Sequence, residues 1–236
     1  MRKILNQKFF ERSALKVAPE LLGKFLVRKW RGKETAYLIT EVEAYHGHDD
    51  KASHASRGHT KRTSVMFGPA GHWYIYLIYG MYWMLNVVTG KKDYPSAILI
   101  RSVIAPTRLS FSGSGSDPSS PVIASDQRKR SNLKLDGPGR LTKTLHIDKK
   151  LHSQPVKKKS GLWIEDRGVR VGNPPSLLRT RLQSASAKAP SFAEASEGKS
   201  EGDFRFLGAK IKKGPRIGVD YAGPVWSKKP WRFFID

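Results

Sequence analysis

Between residues 13 and 22 apolar side chains recur at helical spacing (Ala14, Leu15, Ala18, Leu21, Leu22), with Ser13 where an N-cap belongs and Gly23 where a helix stops. Pro19 falls inside this pattern and is expected to bend or shorten the helix. The period then changes to two. Residues 24–30 and 35–45 read as strands flanking the short turn Arg31-Gly32-Lys33, and residues 97–104 read as a buried strand. In the 35–45 strand, alternation puts Ala36, Leu38, Val42 and Ala44 on one face and Tyr37, Ile39, Glu41, Glu43 and Tyr45 on the other. Residues 71–88 read as two strand arms with Tyr79-Gly80 between them, which predicts a hairpin with Tyr79 at its tip. Tyr76 shares a face with Ile78 on the first arm, and Asn86 shares one with Met84 and Tyr82 on the second.

These elements carry the candidate chemistry. Glu43 and Tyr45 are neighbours at a strand end, and a carboxylate beside an aromatic plane suits activation of water next to a stacked base. The competing reading is a solvated strand edge with two surface glutamates. The loop 46–59 gathers four of the seven histidines (His46, His48, His54, His59) with Asp49 and Asp50. Their spacing matches no zinc pattern, so no metal is expected, and a histidine in the middle of the loop closing a pocket over the substrate is the alternative. A large aromatic at a hairpin tip is costly for solubility unless it has an apolar partner, such as the gap between two base steps. The plainer reading of residues 71–88 is a central buried hairpin.

Composition narrows the function class. The chain has 236 residues, 39% of them hydrophobic and 10% aromatic, enough for a core in one large domain or two small ones. With no cysteine, disulfides, thiolate zinc sites, iron–sulfur clusters and cysteine nucleophiles are excluded. Against 20 acidic residues stand 43 Lys and Arg, a formal charge of +23. That surplus implies a polyanionic partner, most often nucleic acid, though a ribosomal scaffold would be equally basic. The N-terminal residues lack the apolar block of a signal peptide, and the most apolar stretch, 73–88, is shorter than the ~20 residues of a membrane span. A soluble intracellular protein is therefore expected. Two stretches, 110–125 (Ser, Gly, Pro rich) and 183–203 (Ala, Ser, Glu rich), read as mobile surface inserts in a single domain spanning 1–236. The second insert is net acidic, so the basic excess lies elsewhere. After Asp203 only a short strand-like tail is expected.

Taken in order, Glu41-Val42-Glu43-Ala44-Tyr45, Asp50-Lys51-Ala52-Ser53-His54, the run from Arg62 to Gly71, Tyr74-Ile75-Tyr76-Leu77-Ile78-Tyr79-Gly80-Met81 and Asn86 closely resemble the alkyladenine (3-methyladenine) DNA glycosylases of base excision repair. Leu99-Ile100-Arg101, the run from Gly137 to Leu141, the run from Pro215 to Gly223 and the run from Lys229 to Phe233 extend the resemblance over nearly the whole chain outside the two inserts.

The resemblance implies a mixed α/β (α+β) single domain around a curved antiparallel sheet, with a protruding β-hairpin that intercalates into DNA. By the same likeness Glu43 is the base that activates water, Arg101 sits beside it, and the carbonyl of Ile217 anchors that water. Tyr45, His54 and Tyr76 match the residues that sandwich the extruded base, and the N–H of His54 matches a donor to the purine edge. Asn86 matches the residue that rejects the amino group of guanine, and Tyr79 matches the wedge that fills the vacated stack. The expected reaction is hydrolysis of the N-glycosidic bond of alkylated or deaminated purines, such as 3-methyladenine and hypoxanthine, in double-stranded DNA. No cofactor, no membrane, a monomer, and a location in the cytoplasm and nucleoid or the nucleus go with that likeness. The rival from another class is a non-catalytic basic RNA- or ribosome-binding protein. A helix-hairpin-helix glycosylase is disfavoured because the motifs lie on predicted strands.

Overall fold

The structure, a computed structural model, describes residues 2–105, 134–169, 171 and 209–235; both inserts foreseen above, at 110–125 and 183–203, lie outside the described residues. The helical pattern near the N-terminus becomes α2 (Ala14–Leu21), preceded by the single turn α1 (Gln7–Phe10). Ser13 caps α2, its side chain accepting the Leu15 N–H at 3.3 Å. Pro19 sits inside the helix, which runs on to Leu21 because Ala14, Val17, Ala18 and Leu21 are buried in the core and tertiary packing outweighs the missing hydrogen bond.

Antiparallel strands follow: β1 (Lys3–Ile4), β2 (Phe25–Trp30), β3 (Lys33–His46), β4 (Trp73–Ile78), β5 (Tyr82–Val88), β6 (Ser96–Ile104), β7 (Lys134–Asp136), β8 (Leu162–Asp166), β9 (Ile211–Gly214) and β10 (Arg232–Ile235). They form one unclosed sheet in the order β1-β8-β2-β3-β6-β5-β4, with β7 on β6, and β10 joining β3 to β9. The architecture is α+β, with a further short helix, α3 (Pro138–Thr144), packed on β5 and β6, and another, α4 (Gly223–Ser227), following the 3-10 turn Asp220–Ala222. The β2–β3 turn is shorter than expected. Arg31 and Gly32 both take positive φ, and Lys33 already pairs with Trp30, the geometry of a two-residue hairpin.

The long strand β3 organises everything functional. One of its edges pairs with β2 and then with β10, and the other pairs with β6, so its C-terminal half is internal to the sheet. The solvated-edge reading of Glu43 is thereby overturned. The strand-like tail after Asp203 is also more than a tail, since β10 pairs Arg232 with Glu43 and Phe233 with Val42.

Period-two alternation breaks once along β3. The β3–β6 register slips between Ile39 and Val42, leaving Thr40 and Arg101 without partners in the ladder. This irregularity corrects the sequence parity, because Ile39 packs in the main core with Leu38, Val42 and Ala44 instead of lying with Glu41 and Glu43. It also re-aims Arg101, the residue that a regular β6 would have held in the ladder.

The sheet has two unlike faces. One carries the large apolar core, with Val42, Ala44, Ile98, Ile100, Val87, Leu85 and Trp73. The other carries a small second cluster of Ala55, Met66, Tyr74, Val88 and Ala97. Ile100 lies on the core face opposite Val42, wholly buried. Ile100→Ala is expected to destabilise the protein by about 2–5 kcal/mol, read as a lowered urea midpoint with unchanged slope.

Candidate active site

The face opposite the main core bears a row of residues set by register. Glu43 on β3 stands opposite Leu99 on β6, Leu99 opposite Asn86 on β5, and Asn86 opposite Tyr74 on β4. One step along, Tyr45 faces Ala97 and Ala97 faces Val88. Directly opposed residues share a face, so a carboxylate, an amide and several aromatic rings converge on one patch of sheet. The segment 50–66 then folds over that patch. A 3-10 turn, His54–Arg57, capped by the Ser53 side chain, brings His54 down beside Tyr74 and Tyr76.

Between them lies a narrow pocket that opens to solvent. Tyr45, His54, Tyr74, Tyr76, Asn86 and Tyr221 are among its lining residues. His54 and Tyr76 meet edge to face with ring centroids 4.5 Å apart, so they form one wall together. Tyr45 lines the same pocket, with the Arg216 guanidinium 4.8 Å from its ring centre. The Asn86 side-chain N–H₂ donates to the carbonyls of Tyr74 (3.0 Å) and Met84 (3.3 Å), which fixes its rotamer.

Beside the pocket, the Glu43 side chain is completely buried. One oxygen accepts the Ile217 N–H at 2.8 Å, and the other accepts the Tyr45 hydroxyl at 3.0 Å. Arg101 approaches from β6, its Nη1 at 3.4 Å from Glu43 and its Nε at 3.3 Å from Glu41. Arg232 holds Glu41 from the other side at 3.0 Å. Burial pushes the Glu43 carboxyl above the ordinary carboxylate range, while Arg101, the Ile217 N–H and the Tyr45 hydroxyl pull it back. Burial also raises the Tyr45 phenol, with Glu43 adding to the effect, so this ring stays a neutral donor.

Of the residues singled out in the sequence, Glu43, Arg101, Tyr45 and Ile217 come into one hydrogen-bonded or ion-paired cluster, and His54, Tyr76 and Asn86 line the adjoining pocket. Tyr79 stands apart, 82% exposed at the tip of the β4–β5 hairpin. Its φ of 51° and the 67° of Gly80 turn the chain, and a Tyr in that left-handed region is uncommon. Leu77, Met81 and Tyr82 are exposed beside it, whereas the root of the hairpin from Trp73 to Ile75 is buried. The buried-hairpin reading thus holds at the root and fails at the tip.

Two residues that matter most were not singled out. Asp50 and Arg216 form a bidentate ion pair at 2.6 and 2.8 Å, with both side chains wholly shielded from solvent. Arg216 also donates to the carbonyls of Ala44 and Trp226, and Asp50 accepts from the N–H groups of His46 and Ala52. In the sequence Asp50 stands as one acid of a histidine-rich loop and in one family motif, and Arg216 stands in another; no signal in either segment pairs them across 166 positions.

A family model described as methylpurine-DNA glycosylase matches residues 8–192. The chain belongs to that family. It is a DNA N-glycosylase, and the methylpurine-DNA glycosylase match extends beyond the motifs to full-length relatives. A protein of Legionella pneumophila (strain Lens) is 45% identical over 235 residues, covering 100% of this chain and 95% of its own. One from Methanocella arvoryzae is 36% identical over 234 residues, covering 98% and 92%. Both are assigned by name as 3-methyladenine DNA glycosylases. Among the described residues no helix is long and apolar enough to cross a membrane.

The buried pair of this methylpurine-DNA glycosylase has a measurable signature. Arg216→Met strands a buried carboxylate and is expected to cost about 3–5 kcal/mol in urea denaturation, whereas Arg216→Met with Asp50→Asn recovers part of that loss.

Proposed function

We propose that this glycosylase flips a damaged purine out of duplex DNA into the aromatic pocket and hydrolyses its N-glycosidic bond with water activated by Glu43. The single observation that carries this reading is a fully buried carboxylate abutting the aromatic pocket, held by Tyr45, the Ile217 N–H and Arg101. A carboxylate so restrained keeps one orientation toward the reacting carbon, and the nearby guanidinium favours its ionised form. The Ile217 N–H is committed to Glu43, so the role expected for this residue falls to its carbonyl, which would hold the water on the other side.

The pocket suits a base. Glu43 and Asn86 stand two strands apart, about 10 Å between Cα atoms, a separation that seats a purine between the carboxylate and the amide. Tyr45 would cover one face of the base and the His54–Tyr76 wall the other. Rings of this kind attract cationic alkylated purines through their faces and stack on neutral ones such as hypoxanthine. The His54 N–H opens a 3-10 turn, where no intrahelical acceptor exists, and is available to a purine edge. Asn86, held by two carbonyls, would reject the amino group of guanine by leaving it clashing or unpaired.

Tyr79 would act as the wedge. Its exposure, its left-handed backbone and the apolar neighbours Leu77 and Met81 describe a rigid apolar prow that water solvates poorly and a base stack would cover. Chemistry by water requires no cofactor, and the complete pocket within one chain fits a monomer acting on double-stranded DNA. The basic excess would supply phosphate contacts without sequence preference.

Glu43→Gln is expected to abolish release of 3-methyladenine and hypoxanthine from duplex DNA while leaving lesion binding within a few-fold; undiminished turnover would remove Glu43 from the chemistry. The variant should also keep its fold. A carboxyl whose value is raised in the folded state loses stability as pH rises through that value, so removing the charge does not harm the native state at neutral pH. In the unaltered enzyme, activity requires ionised Glu43 and therefore fails as pH falls through a value above the ordinary ~4.3. A kcat/KM profile with its acid limb at or below that value would contradict this. Tyr79→Ser is expected to weaken binding to a lesion duplex by about tenfold without altering the urea midpoint, since unstacking costs a few kcal/mol and the side chain is exposed.

A further inference from the structure

His54 is held at both ring nitrogens. Its Nε2 lies 3.3 Å from an Arg62 guanidinium nitrogen, and its Nδ1 lies 2.9 Å from the Tyr74 hydroxyl. A guanidinium can only donate, so Nε2 must be an unprotonated acceptor. A neutral imidazole carries one proton, which then sits on Nδ1 and is donated to the buried Tyr74 oxygen. The same Arg62 lies over the Tyr76 ring, 5.0 Å from its centre, and so braces both rings of the wall that His54 and Tyr76 form.

We propose that Arg62 is a positioning residue that locks His54 as the neutral Nδ1–H tautomer and so keeps this wall uncharged toward positively charged lesions. The inference rests on the reading of the pocket as the site of the flipped base. Its physical logic is electrostatic. An imidazolium at stacking distance would repel an alkylated purine, which is cationic, far more than neutral hypoxanthine. While Arg62 is docked, protonation at Nε2 requires both loss of that hydrogen bond and a second cation against the first. The guanidinium itself is exposed, so solvent and salt weaken, without removing, its charge at the pocket.

The surroundings agree. The groups facing His54 are Arg57 on its own turn, Arg62 on the following loop, and Tyr74 and Tyr76 on β4. None is anionic. Burial first, then Arg62 and Arg57, lower the imidazole from its ordinary value to about 4. Removing Arg62 takes away one opposing charge and the donor to Nε2, so His54 should then charge at a higher pH.

The test is the ratio of kcat/KM for duplexes carrying 3-methyladenine, cationic in its nucleoside, and hypoxanthine, neutral, measured between about pH 5 and pH 7.5. Titration of Glu43 affects both lesions and cancels in the ratio. Protonation of departing hypoxanthine, which cationic 3-methyladenine does not need, does not cancel, so each variant's ratio is divided by that of the unaltered enzyme at the same pH. In Arg62→Met this relative ratio should fall, on the order of tenfold, toward low pH, and Arg62→Lys, which retains a donor, should restore a flatter profile. Nitrogen NMR of the imidazole in the intact enzyme should report Nδ1–H, a reading independent of any variant's folding. A relative ratio that stays flat in Arg62→Met, with both lesions falling together as loss of a phosphate contact would produce, overturns the proposal, as does an Nε2–H tautomer. If neither lesion responds to Arg62→Met at any pH, the placement of the base against this wall fails instead.

Discussion

The buried ion pair between Asp50 and Arg216 is the constraint on which the site depends. Its two hydrogen bonds join the loop after β3 to the segment after β9, and Nη1 and Nη2 of Arg216 also reach the carbonyls of Ala44, near the end of β3, and Trp226. Stretches of chain far apart in sequence are thereby fixed within hydrogen-bonding distance. Consequences follow on each side. Asp50 shapes the entry to the turn that carries His54, while the residue after Arg216 is Ile217, whose N–H orients Glu43. Arg216 also lies against the rings of Tyr45 and Trp231. A charge pair without solvent is an expensive way to hold a fold, since desolvation offsets most of its attraction. Its value here is geometric, because a bidentate fork tolerates little displacement.

The two faces of the sheet divide the work. One is packed with aliphatic side chains and carries the stability. The other keeps polar and ionisable groups in a pocket where burial raises Glu43 and Tyr45 and lowers His54. The shift at Glu43 is a cost at neutral pH, since it disfavours a charged form that water would stabilise, whereas Tyr45 and His54 are neutral there in any case. The cost is tolerated because the apolar face is large. The register slip in β3 and β6 connects the two halves of this arrangement: it turns Arg101 out of the ladder and into reach of both Glu41 and Glu43. Tyr79 follows the same logic of stability surrendered locally, with a left-handed backbone and a ring in solvent at the end of a well-buried hairpin root.

Much of this was legible in the amino-acid order. Alternation and turn residues locate the strands, the Tyr79-Gly80 turn, and the faces that Tyr76 shares with Ile78 and Asn86 with Met84 and Tyr82, because side-chain direction along a regular strand follows from the backbone alone. Recurring short motifs identify the family and its chemistry, because a site that must hold water, a base and a wedge draws on few residue types. The helix over α2 was legible too, apart from its passage through Pro19, which packing decided.

What only the tertiary structure decided is how distant segments act on one another. Local pattern assigns Glu43 equally well to a wet edge or a buried floor; the choice is made by β10, which arrives from nearly two hundred residues away to cover it. The Asp50–Arg216 pair, the aim of Arg101 and the double hold on His54 by Arg62 and Tyr74 are likewise invisible along the chain. Sequence determined which groups the protein possesses and, away from the register slip between β3 and β6, which face of each strand they take, since those depend on neighbours in the chain. Burial, charge state and tautomer depend on neighbours in space, and only the folded sheet supplies them.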